Sequence, residues 1–153
     1  MNIPQKIKHF AWKASRNILA SKENLAKWKI TPDGVCDLCR RDEETTGHLL
    51  WLCEHAKEVW NCSKFAFPFE FSANGKFLDV VECLHRCEHH RPGLLEQFIS
   101  VCWGIWKNRN DLRLGGKGKA GWTILRNAML LVEDYRVANA PKTEHTVTPA
   151  GLV

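Results

Sequence analysis

The feature that most constrains this chain is a group of three cysteines and one histidine. Cys36 and Cys39 are separated by two residues, and His48 and Cys53 by four, so the spacing is C-x2-C-x8-H-x4-C. Three thiolates and one imidazole are a ligand set typical of tetrahedral structural zinc, and a closed four-ligand site leaves no coordination position for catalysis. The motif therefore predicts one structural Zn²⁺ at these residues. The alternative is a set of ordinary buried cysteines beside a surface histidine.

The second half of this motif poses a geometric problem. Thr45 or Thr46 can cap a helix that reaches about Trp60. On an ideal α-helix, side chains five positions apart point about 140° away from each other. His48 and Cys53 could not both bind one ion from such a helix. The sequence therefore predicts either a distorted first turn near His48 or a helix that starts only around Cys53.

Apolar residues recur at helical spacing through most of the 153 residues, which predicts an all-α fold of about five to six helices with a small zinc-stapled lobe. The strongest apolar stripe covers 93–113 and predicts a central core helix. The sequence contains no run of 18 apolar residues, so no membrane span is predicted. The predicted helices cover residues 3–20, a second segment capped by Ser21, a third from Thr45 or Thr46 to about Trp60, and 77–89, 93–113 and 121–138.

The predicted organisation has three parts. Residues 1–60 form a basic helical pair plus the zinc lobe, 61–140 form a helical core or connector that packs on it, and 141–153 form a disordered tail. Within the connector, 61–76 has irregularly spaced phenylalanines and is expected to be a loop whose aromatic rings fill the core. Five further residues are expected in the interior: Ile18, Leu25, Trp28, Cys62 and Cys102.

Basic residues are concentrated in two stretches. Residues 1–29 hold seven basic side chains and one acidic, 30–106 hold seven basic and twelve acidic, and 107–119 hold five basic and one acidic. This distribution suggests a polyanionic partner, although two solvated helix faces would give the same pattern. The segment 114–119 is expected to be a flexible basic loop. It lacks the spacing of a phosphate-binding loop.

A second group of metal-binding side chains lies at Cys83, His85, Cys87 and His89. Each pair at i and i+4 could chelate an ion, but the two pairs point in different directions. A helix with core cysteines and exposed histidines is the favoured interpretation. The sequence contains no group of Asp and Glu residues at a spacing that indicates a catalytic site. The odd count of seven cysteines and the absence of an apolar leader predict an intracellular protein of the nucleus or cytoplasm.

The order of these signals resembles the zinc-binding domain of plant non-LTR (LINE-type) retrotransposon reverse transcriptases. The resemblance is close over residues 3–60 and loose over 61–100. Trp103-Gly104-Ile105-Trp106-Lys107-Asn108-Arg109-Asn110 is similar to the W-x-x-W-x-x-R-N segment that precedes ribonuclease H in that family. The matching segments in residues 3–60 are Ile3–Lys13, Asn17–Ala20, Lys22–Leu25, Cys36–Cys39, Glu44-Thr45, His48–Leu50, Cys53, Ala56 and Val59-Trp60.

The resemblance implies a zinc-stabilised helical module that lies between a polymerase and a ribonuclease H domain. No Asp-Asp polymerase pair occurs in the chain, and 146–153 falls where the family enters ribonuclease H. The expectation is therefore an excised or host-retained copy of the connecting module that has no enzymatic activity of its own.

Two functions compete. The first is a nucleic-acid-binding module that contacts phosphates of RNA or single-stranded DNA, with exposed aromatics such as Trp12 or Trp28 stacking on bases. The second is a protein-interaction or regulatory domain recruited by a host, which would bind a protein partner through its aromatic-rich surface. The first hypothesis assigns phosphate contacts to Lys6, Lys8, Lys13, Arg16, Lys27, Lys29, Lys107, Arg109 and Arg113.

Overall fold

The computed structural model describes residues 1–65 and 75–141. Over these ranges the fold is helical, as the sequence predicts, and the described part contains no β-strand beyond one isolated antiparallel bridge between Val35 and Glu43. None of the described helices is long and apolar enough to cross a membrane. The elements are α1 (Gln5–Ser15), α2 (Lys22–Lys27), a π-helical turn (His48–Leu52), α3 (Glu54–Asn61), α4 (Phe77–Arg86), α5 (Leu94–Arg113) and α6 (Gly121–Ala138).

Helix α5 is the central element, as its apolar stripe predicts. It packs against α1, α4, α6 and the π-helical turn. Phe98 is fully buried at its middle, where the ring stacks on those of Trp60 and Phe77 with centroids 5.4 and 6.1 Å away. One continuous apolar cluster thus includes side chains from both of the predicted parts, 1–60 and 61–140.

Helix α1 is shorter than the apolar stripe over 3–20 predicts. It ends at Ser15, and Asn17 then adopts a left-handed conformation with φ 55°. This break changes which side chains point inward: Ile18 is exposed, contrary to the prediction, and Leu19 is buried in its place. A left-handed residue stops a helix because the next amides no longer reach the carbonyls four positions back.

Helix α2 begins where the sequence predicts, because the hydroxyl of Ser21 caps it by accepting a hydrogen bond from the Asn24 amide at 3.2 Å. The predicted inner face is wrong. Trp28 is exposed and Leu25 is only partly buried, whereas Lys22 and Asn24 are the buried residues. Asn24 is held inside by donating to the carbonyl oxygens of Asn17 and Leu19 at 2.9 and 2.8 Å.

Close backbone approach fixes α6 against the rest of the fold. A Cβ at Gly121 would lie 2.9–3.0 Å from Glu58 of α3, and a Cβ at Gly104 would lie 3.1 Å from the Ile124 side chain. Such contacts are shorter than ordinary van der Waals distances, so these glycines let α6 lie directly on α3 and α5.

The remaining predictions about individual side chains have mixed outcomes. Cys102 is fully buried as predicted, but Cys62 is exposed because it follows the last turn of α3. Phe65 packs against Trp60 at the edge of the core. The other phenylalanines of the predicted loop, at 67, 69 and 71, and the predicted tail from 142 onward lie outside the described residues.

Candidate metal centre

The first ligand pair lies in a tight loop that backbone hydrogen bonds define. The Asp33 carboxylate accepts from the Val35 amide at 3.0 Å, which closes the turn that Pro32-Asp33-Gly34 predicts. The Cys36 amide then donates to the Asp42 carbonyl at 2.8 Å, and the Arg40 amide donates to the Cys36 carbonyl at 2.9 Å. This short hairpin brings Cys36 and Cys39 to one side.

The second ligand pair is positioned by the π-helical turn, which resolves the i, i+5 problem. The Thr45 hydroxyl accepts from the His48 amide at 3.0 Å and starts the turn. The Cys53 amide donates to the His48 carbonyl at 2.7 Å, which is an i→i+5 bond. The wider turn reduces the angle between side chains five positions apart, and the ligand atoms of His48 and Cys53 converge. Cys53 is then extended, with φ −61° and ψ 145°, and α3 begins at Glu54. Both predicted solutions, the distortion and the late helix start, therefore occur together.

The four ligand atoms have the spacing of a tetrahedral zinc site. All four lie within 4.8 Å of one another. The sulfurs of Cys36 and Cys53 are 4.0 Å apart, and the Cys39 sulfur is 3.5 Å from the His48 Nε2. With bonds of about 2.3 Å to sulfur and about 2.0 Å to nitrogen, a tetrahedron has edges of about 3.8 Å between sulfurs and about 3.5 Å between sulfur and nitrogen. The cluster thus fits Zn²⁺ in both ligand chemistry and size.

Hydrogen bonds within the cluster favour the thiolate form of Cys36. The hydrogen bond from the Cys53 thiol lowers the pKa of Cys36 to about 2, against the opposing effect of burial, and the amides of Cys39 and Leu38 also donate to that sulfur. The same bond raises the pKa of Cys53, and burial adds to that rise. Hydrogen bonding to Cys36 raises the pKa of His48, although burial opposes it. A metal ion would displace the protons that these groups share, so its binding releases protons.

Glu44 forms a second layer behind this cluster. Its side chain is almost fully buried, and one carboxylate oxygen lies 3.7 Å from the Cys36 sulfur. The other oxygen accepts from the Lys22 amide at 2.8 Å, and the Glu44 carbonyl accepts from the Glu23 amide at 3.1 Å. A single carboxylate therefore ties the ligand loop to the first turn of α2.

Arg109 is the ion-pair partner of Glu44, which corrects its predicted role in nucleic-acid binding. The guanidinium donates to both oxygens of Glu44, from Nη2 and, at 3.2 Å, from Nε. Its remaining contacts are Asn110, which accepts at 2.8 Å, and the ring of Trp106, whose centroid is 5.1 Å away. Since Arg109 is only 2% exposed, it cannot reach a phosphate without unfolding.

Sequence reasoning assigned Glu44 no role. It follows Glu43 in a polar loop, where a carboxylate is expected in solvent, and its arginine is 65 positions away. The available signal was that Glu44-Thr45 and Arg109-Asn110 both belong to the segments that carry the family resemblance.

Asp37, between the two cysteines, holds two further cations of the predicted basic stretches. Its carboxylate lies 2.9 Å from the Lys22 Nζ and 3.1 Å from the Arg113 Nε. Arg113 is thus joined to the zinc loop, whereas the sequence predicted a phosphate contact for it. Arg113 and Arg109 therefore both connect α5 to the metal centre through ion pairs.

The other predicted cations lie outside this network. Lys6, Arg16, Lys27, Lys29 and Lys107 are exposed. Lys8 and Lys13, both on α1, are partly buried. None of these seven forms an ion pair within the described residues.

The second predicted group of ligands is not assembled. Among the described residues, the cluster at Cys36, Cys39, His48 and Cys53 is the one group of three or more side chains whose ligand atoms converge. Cys83 and Cys87 are partly buried and do not lie in the core, contrary to the favoured interpretation, while His85 and His89 are exposed as expected.

Comparison with known proteins yields no curated protein and no solved structure that matches the chain. A family model does match, and the matched segment contains all four ligands, Glu44 and Lys22. This match is to a zinc-binding region. No polymerase or ribonuclease H segment is matched. The family chemistry and the converging ligands together show a site for one structural zinc. Residues 1–60 of this chain match the family described as zinc-binding in reverse transcriptase.

Proposed function

We propose that this chain is a non-catalytic, zinc-stabilised module that derives from a plant LINE-type retrotransposon reverse transcriptase and binds RNA or single-stranded DNA. The family match at residues 1–60 supports the origin in a reverse transcriptase. The resemblance of 103–110 to the segment before ribonuclease H supports a connecting position between two catalytic domains. A closed set of four protein ligands supports a structural role for the metal.

The observation that carries nucleic-acid binding is an exposed indole on α1 that lies beside a histidine ring and an arginine. Trp12 is 51% exposed. Its ring stacks on that of His9, with centroids 6.0 Å apart and planes inclined by 20°, and the Arg16 guanidinium lies 5.6 Å from the indole centroid. Exposed aromatic faces beside cations are what unpaired bases and their phosphates bind in single-strand-binding proteins.

A second exposed indole has similar neighbours. Trp28, at the end of α2, is 44% exposed and stands in the chain between Lys27 and Lys29, which are both exposed. Both surfaces offer a stacking ring and positive charge, so the proposed binding is driven by phosphates and stacking and has little sequence preference.

Exposed apolar side chains on α6 favour a second candidate function, a host-recruited interaction domain. Trp122, Leu130 and Val137 are 59%, 49% and 64% exposed. A protein that docked there would bury apolar area and would depend little on the cations of α1.

A salt titration tests the proposal. Binding of the zinc-loaded protein to fluorescein-labelled single-stranded RNA, single-stranded DNA and duplex RNA is measured by anisotropy between 50 and 300 mM salt. We expect binding to the single strands, with an affinity that falls steeply with salt because phosphate contacts release counterions.

The double substitution Lys13→Gln and Arg16→Gln should lower the slope of log affinity against log salt by about 1 to 2. Lys57→Gln, which makes the same kind of charge change on the exposed side of α3, is the control. Absence of binding at 50 mM salt, or equal affinities for the double variant and the control, would contradict nucleic-acid binding and favour the protein-interaction function.

A further inference from the structure

A cleft on the side of α5 formed by α1 and α6 has no role in the metal centre. Its volume is about 230 Å³. Trp103 and Lys107 of α5 line it together with Lys6 of α1, Lys119 from the loop before α6, and Asn127 of α6. The cleft therefore combines an indole with three amino groups that come from three separate parts of the chain.

Two of the amino groups stand over the indole of Trp103. The Lys6 Nζ is 4.9 Å from the ring centroid and the Lys107 Nζ is 5.3 Å from it. Neither lysine forms an ion pair within the described residues, and both side chains are exposed, so an anion that enters can recruit both. Lysine ammonium groups bind phosphate as point charges.

The third amino group is brought to the cleft by a backbone tether. The predicted flexible loop is fastened at two points: the Gly116 amide donates to the Asp111 carbonyl at 2.8 Å, and the Lys119 amide donates to the Asn108 side chain at 2.9 Å. The second bond holds the start of the Lys119 side chain at the rim. The backbone of Lys119 is thus held at the rim, and its exposed side chain starts from there.

Asp111 also lines the cleft and limits what it can hold. Three ammonium groups and one carboxylate leave a net positive charge that attracts a phosphate, while the carboxylate repels a phosphate placed beside it. A carboxylate can accept hydrogen bonds from sugar hydroxyls. The cleft is smaller than the about 300–1,000 Å³ usual for sites that enclose a whole drug-sized ligand.

From this combination of indole, lysines and a single carboxylate, we infer that the cleft between α1, α5 and α6 holds one ribonucleotide unit of a bound single strand. The phosphate lies between Lys6 and Lys107, the sugar hydroxyls face Asp111, and the neighbouring nucleotides remain outside. This inference rests on the proposed nucleic-acid binding and assigns it a second contact region, on the Trp103 side of α1.

The test uses the full zinc-loaded chain with ¹⁵N-labelled indole groups. Seven tryptophans give separate indole N–H signals, and Trp103→Phe identifies the signal of Trp103. Uridine 5′-monophosphate, uridine, 2′-deoxyuridine 5′-monophosphate and inorganic phosphate are titrated in turn. We expect uridine monophosphate to shift the Trp103 signal at the lowest concentration.

Substitutions then locate the contacts. Lys6→Gln and Lys107→Gln should each weaken uridine monophosphate binding about tenfold, the scale of one lost charge-assisted hydrogen bond. Lys57→Gln, an equal charge change at an exposed site outside the cleft, should change it less than about twofold. Asp111→Asn should reduce the preference for the ribonucleotide over the deoxyribonucleotide. Unchanged dispersion of the other indole signals verifies that each variant is folded.

The outcomes separate this inference from the proposal on which it rests. If inorganic phosphate binds as tightly as the nucleotide, or if no probe moves the Trp103 signal, the nucleotide site is overturned. Binding of single strands by the α1 surface then still stands. If the labelled strands fail to bind at all, the proposed function fails and the inference with it. A Trp103 signal that shifts with both the mononucleotide and a single-stranded oligonucleotide, and less in Lys107→Gln, supports the inference.

Discussion

Two groups of cations that the sequence does not distinguish have different surroundings in the structure. Around the metal centre, Lys22, Arg109 and Arg113 are matched to the carboxylates of Asp37 and Glu44. On the outer side of α1 and α5, Lys6, Arg16 and Lys107 lie over tryptophan rings instead. The first set holds elements together, whereas the second remains available to an anion.

The difference shows how two stretches with similar composition acquire separate tasks. Arg109 and Lys107 are two positions apart on one helix, yet Arg109 is 2% exposed whereas Lys107 is an exposed residue. The helical period places them on different faces, and only the inner face meets the acidic zinc loop. The count of basic residues therefore overstates the surface that a polyanion can use.

Removal of a zinc ligand should have the largest effect on stability, because it unfolds the region in which the cations are paired with carboxylates. Cys36→Ser or Cys53→Ser is expected to reduce bound zinc from one equivalent per chain to nearly none. In zinc-finger peptides the metal supplies about 10–16 kcal/mol of apparent binding energy that is also folding energy. The measurements are elemental analysis of the purified protein and its thermal unfolding.

Cys62→Ser is the matched control for this experiment. Cys62 is an exposed cysteine that lies outside the cluster, so its loss should leave both the metal content and the melting temperature unchanged. A protein purified without metal that melts like the wild type would refute the structural role of the site.

The buried pair gives the next largest effect. Arg109→Met leaves the carboxylate of Glu44 buried without its cation, and such a loss destabilises a protein by about 3–5 kcal/mol. Adding Glu44→Gln to the same chain should recover much of that loss, because the uncompensated charge is removed. Urea unfolding of the zinc-saturated single and double variants measures the free energies.

A fully additive double variant would contradict this account of the pair. It would mean that Arg109 stabilises the fold mainly through its packing on Trp106, whose ring centroid lies 5.1 Å from the guanidinium.

This pair also marks where prediction from sequence ends. Local signals were sufficient for the zinc ligands, for the Ser21 cap and for the stripe of α5, because each depends on residues close together in the chain. The Glu44–Arg109 contact depends on how a loop and a helix 65 positions apart meet, and no periodicity encodes that. Similarly, the end of α1 depends on one left-handed residue, Asn17, which the apolar pattern does not report.

The π-helical turn is an intermediate case. The spacing of His48 and Cys53 required that an ideal helix be abandoned between them, so the conflict itself was predictable. That the chain combines both solutions was not predictable, because it depends on the Thr45 hydroxyl and on the i→i+5 bond from Cys53. The need for His48 and Cys53 to bind one ion was thus visible in the sequence as a spacing that an ideal helix cannot satisfy.

A smaller effect is expected at the partly exposed pair of the metal region. The Asp37 side chain is 43% exposed and that of Arg113 is 27% exposed, so water screens their attraction. A double-mutant cycle of Asp37→Asn and Arg113→Gln should give a coupling energy of about 0.2–1 kcal/mol that decreases as salt is added. Urea unfolding at low and high salt measures it. A coupling as large as that of Glu44 with Arg109 would mean that exposure is a poor guide to the strength of these contacts.

The smallest effect on stability, and the sharpest division between the two regions, is expected from Lys107→Gln compared with Arg113→Gln. Both residues lie on α5 and both substitutions remove one positive charge. Lys107→Gln should change the free energy of unfolding by no more than about 0.5 kcal/mol, since its side chain is exposed and has no carboxylate partner among the described residues. It should nevertheless lower the salt slope of RNA binding by about 1, whereas Arg113→Gln should leave that slope unchanged. Equal slopes for the two variants would show that Arg113 contacts the nucleic acid even though it pairs with Asp37. The separation of structural from available cations on α5 would then be wrong.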